Sequence, residues 1–183
     1  RRQKALQAYL ETELAQRTKE VLEQRDLLEK KNRDITDSIN YAKRIQKSIL
    51  PSTQMMDKIF EGMFVYYKPR DIVSGDFYWF DHVNKDKLLI ICADSTGHGV
   101  PGAFMSMIGT TLIKDICNRE DIDSPAKVLH QLDHELQGTL NRNLDAEKAH
   151  DGMDIIVCEL DVNTHYMRFA SAMRPIILYK DKQ

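Results

Sequence analysis

The first 50 residues contain neither glycine nor proline, although the chain of 183 residues has eight glycines and five prolines. These residues interrupt helices most strongly, so their absence over this length predicts one long helix. No apolar run approaches the roughly 20 residues of a membrane-spanning helix. No apolar core follows the basic residues at the start, which excludes a signal peptide. The abrupt start is typical of a segment of a longer protein, and a membrane anchor upstream of it is compatible with this sequence.

Cysteine is scarce as well. The three thiols are Cys92, Cys117 and Cys158, and no two of them form a Cys-x-x-Cys pair. An odd number cannot be fully paired, so we expect small buried thiols in a reducing compartment. The expected location is the cytoplasm, either as a free protein or as the cytoplasmic part of a membrane-anchored sensor.

The chain also lacks a strong charge of either sign. Its net charge is −2, divided into +4 over residues 1–50 and −6 over residues 51–183. No basic stripe is interleaved with aromatic residues, which argues against nucleic-acid binding. The acidic second part favours cations instead.

The long helix carries a seven-residue apolar repeat. Its members are Leu14, Val21, Leu28, Ile35, Ala42 and Ile49. A strict repeat of seven predicts a left-handed coiled coil, and we expect a parallel homodimer. The companion column is weaker, because four of its six members are polar: Leu10, Arg17, Gln24, Lys31, Ser38 and Ile45. The alternatives are a solvated single helix, and a break near Thr36 with a second helix capped by Asp37 or Ser38.

A globular domain is predicted to follow a helical linker, with residues 1–50 as the linker and residues 51–183 as the domain. Pro51 marks the change, because the residue before a proline avoids the helical conformation. The predicted helices lie at 101–117 and 124–141. The predicted strands lie at 63–68, 76–83, 87–93, 155–160, 166–170 and 176–180. Hairpins interrupted by helices predict a mixed α/β (α+β) fold with antiparallel sheets covered by helices.

Two segments carry the residues best suited to chemistry. They are residues 74–79 (SGDFYW) and 92–103 (CADSTGHGVPGA). In each, an aspartate stands beside glycine at the end of an apolar strand, Asp76 in the first and Asp94 in the second. Two such carboxylates from neighbouring strands would form an oxygen-only site suited to Mg²⁺ or Mn²⁺. The alternative is that both aspartates only cap turns.

Four segments, read together, resemble a known family. They are residues 38–51 (SINYAKRIQKSILP), 67–79 (YKPRDIVSGDFYW), 94–106 (DSTGHGVPGAFMS) and 151–154 (DGMD). The resemblance is to the stage-II-sporulation branch of the PPM phosphatases, which includes stress-response phosphatases that activate sigma-factor pathways. It covers about residues 38–180, and the motifs follow the family's order.

The resemblance implies a sandwich of two antiparallel sheets flanked by helices. It also implies hydrolysis of phosphoserine or phosphothreonine by water activated between two Mn²⁺ or Mg²⁺ ions. By position, Asp76 and Asp94 match the family's metal aspartates, and both are expected to be catalytic. The backbone carbonyl of Ser95 matches a further ligand position.

Three further residues are weaker candidates, the first of them by the same resemblance. Asp151 lies where some relatives have a carboxylate for a third metal or for the substrate site. Arg70 is a candidate for phosphate binding, with a surface arginine as the alternative. His98 is a candidate polar group of the active site, with a hydrogen-bonded turn residue as the alternative.

The sequence departs from the family pattern in two places. Residues 170–175 read ASAMRP, where the family usually has a glycine-containing motif. The family's later metal aspartates, in a Ser-Asp-Gly-like turn and a final strand, would lie beyond Gln183. The two-metal site is therefore expected to be incomplete in this chain, and the fragment inactive or weakly active.

Three functions remain as hypotheses. The first is a bacterial signalling phosphatase regulated through its N-terminal helix. It would act on a phosphorylated protein, such as one like an anti-sigma-factor antagonist. The second is a signal-relay and dimerisation module, and the third is an inactive relative that binds a phosphoprotein. A membrane enters only through a sensor region outside this sequence.

Overall fold

The computed structural model describes residues 1–83, 86–140 and 151–179. The chain divides into two compact units, Arg1–Tyr41 and Ala42–Gln183. The first helix, α1, is Arg2–Ile49 and therefore crosses the boundary between them. Of the helices in the described ranges, none combines the length and the apolar character that a membrane crossing requires.

The helix α1 confirms the prediction drawn from the missing glycine and proline. It continues without interruption past Thr36, so the predicted alternative of a break there is wrong. The Ser38 hydroxyl donates to the carbonyl of Asp34, one turn earlier, instead of capping a new helix. Ion pairs such as Arg17–Glu13, at 3.3 Å, add local support.

The apolar column within the first unit is open to solvent. Its side chains at Leu14, Val21, Leu28 and Ile35 are 58–68% exposed. An apolar stripe of this kind is suited to a second helix. The homodimer itself stays a prediction.

The second unit contains four strands and two further helices. A short 3₁₀ helix, Thr53–Lys58, comes first. The remaining elements are β1 (Asp76–His82), β2 (Lys87–Ser95), α2 (Gly99–Cys117), α3 (Pro125–Leu140), β3 (Met153–Asp161) and β4 (Met167–Ala172). Both predicted helices and four of the predicted strands are confirmed. The predicted end of α3 at Asn141 lies outside the described residues.

The four strands form one antiparallel sheet in the order β1-β2-β3-β4. The predicted mixed α/β class and the antiparallel pairing are confirmed. Among the described residues, all strands belong to this sheet. The second sheet of the sandwich therefore stays an implication of the resemblance.

The helices α2 and α3 pack on one face of the sheet, called here the packed face. The two layers share an apolar cluster in which Ile91, Ile113, Ile116 and Val157 have no exposed surface. Residues on a strand alternate between faces. Asp76, Tyr78, Ile90, Cys92 and Asp94 therefore lie on the opposite face, called here the open face.

Two of the predicted strands are wrong. Residues 63–68 and residues 176–179 have irregular backbone, and Lys180 lies outside the described residues. Five of their large apolar side chains are 76–89% exposed, namely Phe64, Tyr66, Ile177, Leu178 and Tyr179. Local β propensity favours these segments as strands, but a strand also needs a partner to pair its backbone groups. The described residues supply no such partner here.

Candidate active site

Three aspartates stand in one row across neighbouring strands. Asp76 on β1 lies opposite Asp94 on β2, and Asp94 lies opposite Asp154 on β3. Directly opposed residues in an antiparallel pair project from the same face, with their Cβ atoms about 5 Å apart. The row therefore brings three carboxylates together on the open face. Like charges in direct opposition destabilise a sheet, so a nearby cation stabilises this arrangement.

Arg174 supplies positive charge to this row. Its Nη2 donates to Asp94 Oδ2, and its Nε lies 3.7 Å from Asp154 Oδ2. Arg174 follows the end of β4 by two residues, so all four strands contribute to this corner of the sheet. Neither Arg174 nor Asp154 was given a role by the sequence analysis.

A cavity of about 340 Å³ opens beside the row. Its lining includes Asp76, Asp94, Asp154 and Arg174, together with Cys92. Burial raises the pKa of the Cys92 thiol, so the protonated form is favoured and the thiol is a poor nucleophile. The groups that can act in this cavity are therefore carboxylates and a guanidinium.

A larger cavity, of about 560 Å³, lies next to it under residues 56–68. Its lining is mostly aromatic and aliphatic, and it meets the first cavity at Asp76. The Tyr67 hydroxyl donates to the Asp76 carbonyl at 3.2 Å, and burial raises the pKa of Tyr67. Tyr67 therefore remains a protonated donor that holds the start of β1.

The turn before β1 packs tightly against the end of β2. A side chain at Gly75 would place its Cβ 2.8 Å from the Gly97 carbonyl oxygen and 3.0 Å from that of Ser95. The Ser95 hydroxyl donates to the Gly75 carbonyl at 2.8 Å. Only glycine fits at position 75, and its absence of a side chain brings the Ser95 carbonyl to the rim that carries Asp76 and Asp94.

Asp151 also lies at this end of the sheet, but it holds a protein contact. Its Oδ1 accepts from the Thr96 hydroxyl at 3.0 Å, and that hydroxyl accepts from the Gly152 N–H. The Thr96 N–H donates to the Gly152 carbonyl. Asp151 therefore ties the turn after β2 to the start of β3.

His98 and Arg70 lie outside the cavity that holds the aspartate row. His98 immediately precedes α2, and its Nδ1 is 2.9 Å from Asp71 Oδ2. Both of these side chains, like that of Arg70, are exposed. The six predicted residues thus divide into Asp76, Asp94 and Ser95 at the row, Asp151 beside it, and His98 and Arg70 on the surrounding surface.

Comparison with known families decides the relationship. The model of the Stage II sporulation protein E (SpoIIE) family matches residues 84–183, which is more than half of the chain. The chain belongs to the SpoIIE family. The resemblance inferred from residues 38–51, 67–79, 94–106 and 151–154 is thereby confirmed.

Two relatives of this SpoIIE-family chain are informative. The phosphoserine phosphatase RsbP of Bacillus subtilis is 26% identical over 145 residues, which cover 78% of this chain and 34% of RsbP. The solved SiaA-PP2C domain of Pseudomonas aeruginosa is 34% identical, with a TM-score of 0.65. That match covers 77% of this chain and 55% of the SiaA chain. The chain therefore spans about a third of the one relative and about half of the other.

PP2C-type phosphatases depend on Mn²⁺ or Mg²⁺, so the SpoIIE-family site must be tested for its fit to such an ion. The donors at the row are oxygen atoms, which these ions prefer. Within the described residues, no group of three or more His, Cys, Asp or Glu side chains is arranged to enclose a metal. Asp76 and Asp94 therefore fit a cation that keeps several waters, not one enclosed by side chains.

One buried residue links α1 to this candidate site. The Gln46 side chain, 6% exposed, accepts from the Ser74 N–H and donates to the Ser74 carbonyl at 2.6 Å. It also donates to the Ser106 hydroxyl of α2 at 2.8 Å. The Ser74 hydroxyl in turn accepts from the Asp76 N–H. Gln46 thus holds the turn that leads into the first aspartate of the row.

Proposed function

We propose that this chain is part of a bacterial signalling phosphatase that removes phosphate from phosphoserine or phosphothreonine on a partner protein. The observation that carries the proposal is the alignment of Asp76 with Asp94 at one rim, in a chain of the SpoIIE family. The name of RsbP, a phosphoserine phosphatase, supports the substrate class.

Asp76 and Asp94 are the residues that would hold Mn²⁺ or Mg²⁺, with the Ser95 carbonyl as a further ligand. Two such ions, when bound in a complete site, lower the pKa of water and neutralise phosphoryl charge. Asp94 lies on a strand that is paired on both sides. The backbone that carries its carboxylate is therefore held in place, which favours a preorganised site.

The surrounding residues have supporting roles in this proposal. Asp151 fixes the turn at Thr96 through a hydrogen bond of 3.0 Å, and so holds the loop that follows Asp94 and Ser95. Arg70 and His98 are exposed on the surface around the row, where they can meet the phosphate or the partner protein. The contact between His98 Nδ1 and Asp71 Oδ2 restricts the orientation of the His98 ring.

Regulation through the N-terminal helix is the second part of the proposal. The exposed apolar column of the first unit favours a parallel homodimer. In the second unit, Gln46 at the end of α1 holds Ser74 and so influences the start of β1. The same column favours the relay-module hypothesis, which is compatible with catalysis in one protein.

The partner is proposed to be a phosphorylated signalling protein like an anti-sigma-factor antagonist. The full-length protein is incubated with a phosphoserine form of such a partner, with and without Mn²⁺. The expected result is phosphate release that requires Mn²⁺ and stops when the ion is chelated. Undiminished release in the presence of chelator would reject the metal-dependent mechanism. Binding of the phosphorylated partner without release would favour the inactive-relative hypothesis.

The homodimer is tested separately. Analytical ultracentrifugation of the 183-residue chain is expected to show a dimer. A Leu28→Asp variant, which places charge in the middle of the apolar column, is expected to shift the chain to monomer. A wild-type chain that stays monomeric at high micromolar concentration would reject the helix-mediated dimer.

A further inference from the structure

We propose that Arg174 is the internal counter-ion of the aspartate row, and that a divalent cation at Asp94 competes with the Arg174 guanidinium and displaces it. The inference rests on the proposed function in one respect, since it takes Asp94 to be a metal ligand. It concerns a residue that neither the motifs nor the family resemblance assigns.

The charges of the row favour such a counter-ion. Asp76, Asp94 and Asp154 are direct neighbours on three strands, and opposed like charges destabilise a sheet. The Arg174 guanidinium contacts two of these three carboxylates, through Nη2 at Asp94 and through Nε at Asp154. One planar fork therefore compensates the charge that the strand register brings together.

The contact also competes with a metal at the same carboxylate. Asp94 Oδ2 accepts the hydrogen bond from Arg174 Nη2, and the guanidinium occupies one side of the 340 Å³ cavity. The lone pair that accepts from the guanidinium is not free for a divalent ion, and a cation on any other lone pair of Asp94 is repelled by the guanidinium a few ångströms away. Coordination at Asp94 therefore favours movement of the guanidinium away from the row.

The backbone around Arg174 indicates that its position is specifically held. Met173 has φ of 61°, in the left-handed region that side chains rarely adopt, although its own side chain is 86% exposed. Packing of Met173 therefore does not explain the conformation. Pro175 restricts Arg174 itself to extended backbone. Strained backbone of this kind is found most often at functional sites.

This arrangement predicts how metal affinity changes when the charge of Arg174 is removed. Removing a positive charge from the row should make the site bind cations more tightly. A monovalent charge a few ångströms from a divalent ion in a solvated cavity changes affinity by about tenfold. Lysine keeps the charge but lacks the planar fork, so an Arg174→Lys variant should fall between Arg174→Gln and the wild type.

The test measures Mn²⁺ binding to the 183-residue chain by isothermal titration calorimetry. Arg174→Gln is expected to bind about tenfold more tightly than the wild type. Lys114→Gln, which removes a charge on α2, is expected to match the wild type. Equal or weaker binding by Arg174→Gln would overturn the counter-ion role.

An Asp94→Asn variant separates the two proposals. Loss of Mn²⁺ binding in Asp94→Asn together with unchanged affinity in Arg174→Gln would reject only the counter-ion role. Wild-type Mn²⁺ affinity in Asp94→Asn would reject the metal site on which both proposals rest.

A second measurement needs no variant that alters folding. The Arg174 Nη–H resonances are followed by NMR during a Mg²⁺ titration of the wild-type chain, with Arg174→Lys used only for assignment. Displacement from Asp94 predicts that the Nη2 protons exchange faster with solvent as Mg²⁺ saturates the site. An unchanged exchange rate at saturating Mg²⁺ would overturn the proposal.

Discussion

The two faces of the sheet are built from the same strands but serve different purposes. On the packed face, alternate residues such as Ile91 and Val157 are fully buried under α2 and α3. On the open face, the residues between them include the aspartate row and the exposed Phe169. Residues of this face also line both cavities. One strand therefore contributes to stability and to a candidate site through alternate side chains.

The difference between the faces follows from the period of two along a strand. On β2, Ile91 and Ala93 belong to the apolar cluster, while Cys92 and Asp94 line the cavity beside the row. Carboxylates are tolerated on the open face because they retain partial exposure, with Asp94 46% exposed. The open face carries charge at the end that holds the row, whereas its other end buries Phe80 and Leu88.

The largest effect is expected from Asp94→Asn in the full-length protein. The change removes a ligand charge from the open face, so Mn²⁺-dependent turnover should fall by roughly a hundredfold to a thousandfold. Stability should change little, because the loss of one of three opposed like charges offsets the loss of the Arg174 contact. Phosphate release and urea unfolding are measured on the same preparation. Asp76→Asn is expected to act in the same direction but more mildly.

A correctly folded Asp94→Asn protein with normal turnover would show that the open face does not hold the active site. A large loss of stability would instead show that the row is part of the structural core. Either result would contradict the division of the sheet into a stabilising packed face and a functional open face.

A matched pair of isoleucines on β2 tests the packed face. Ile91 is fully buried on that face, whereas its neighbour Ile90 lines the larger cavity on the open face. We expect Ile91→Ala to lower the free energy of unfolding by about 2–5 kcal/mol. Ile90→Ala should cost less, because its site is already partly empty. Urea denaturation of the 183-residue chain measures both, and equal losses would contradict the distinction between the faces.

Gln46 connects the two faces, because it contacts Ser106 on α2 and the turn before Asp76. Gln46→Ala leaves the Ser74 N–H without its acceptor, which should cost about 1–3 kcal/mol of stability. Turnover of the full-length protein should also fall, since Ser74 orients the start of β1. Lys47→Ala, at an exposed neighbouring position, is the control and should change stability by less than about 0.5 kcal/mol. Equal effects of the two variants would remove Gln46 from the link.

The smallest effect concerns thiol reactivity. Burial raises the pKa of both thiols, but that of Cys117, with a further contribution from Asp81, rises to about 12, and Cys92 is the more exposed of the two. The thiolate is the reactive form, so iodoacetamide at pH 8 should modify Cys92 before Cys117. Mass spectrometry of the peptides measures the order, and Cys92→Ser serves as the control. Earlier modification of Cys117 would indicate that the packed face opens.

Much of this fold could be predicted from local sequence. The helix α1 followed from 50 residues without glycine or proline, and both hairpins followed from apolar runs separated by turn residues. The segments at 63–68 and 176–179 have the same local character but no strand partner among the described residues. Their state depends on distant pairing, which local propensity does not contain.

The candidate site shows the same limit. Asp76 and Asp94 were predicted because each stands at the end of an apolar strand beside a glycine motif. Asp154 joins them only through the pairing of β2 with β3, which are separated by two helices. Arg174 depends in addition on the left-handed conformation of Met173, which no local pattern indicates. Asp154 was visible in the sequence, but the strand pairing that places it opposite Asp94 was not.

The pairing of β2 on both sides has one further consequence. A shift of β1 by a single residue along β2 would turn Asp76 toward the helices and expose Phe77. The apolar cluster resists such a shift, because it would lose buried surface along the whole strand. Any signal that adjusts the spacing of the carboxylates must therefore act at the ends of the strands, by rotating the turns that enter and leave them. The strand register fixes the interior of the sheet, and the turns that can adjust contain Ser74, Thr96 and Met173.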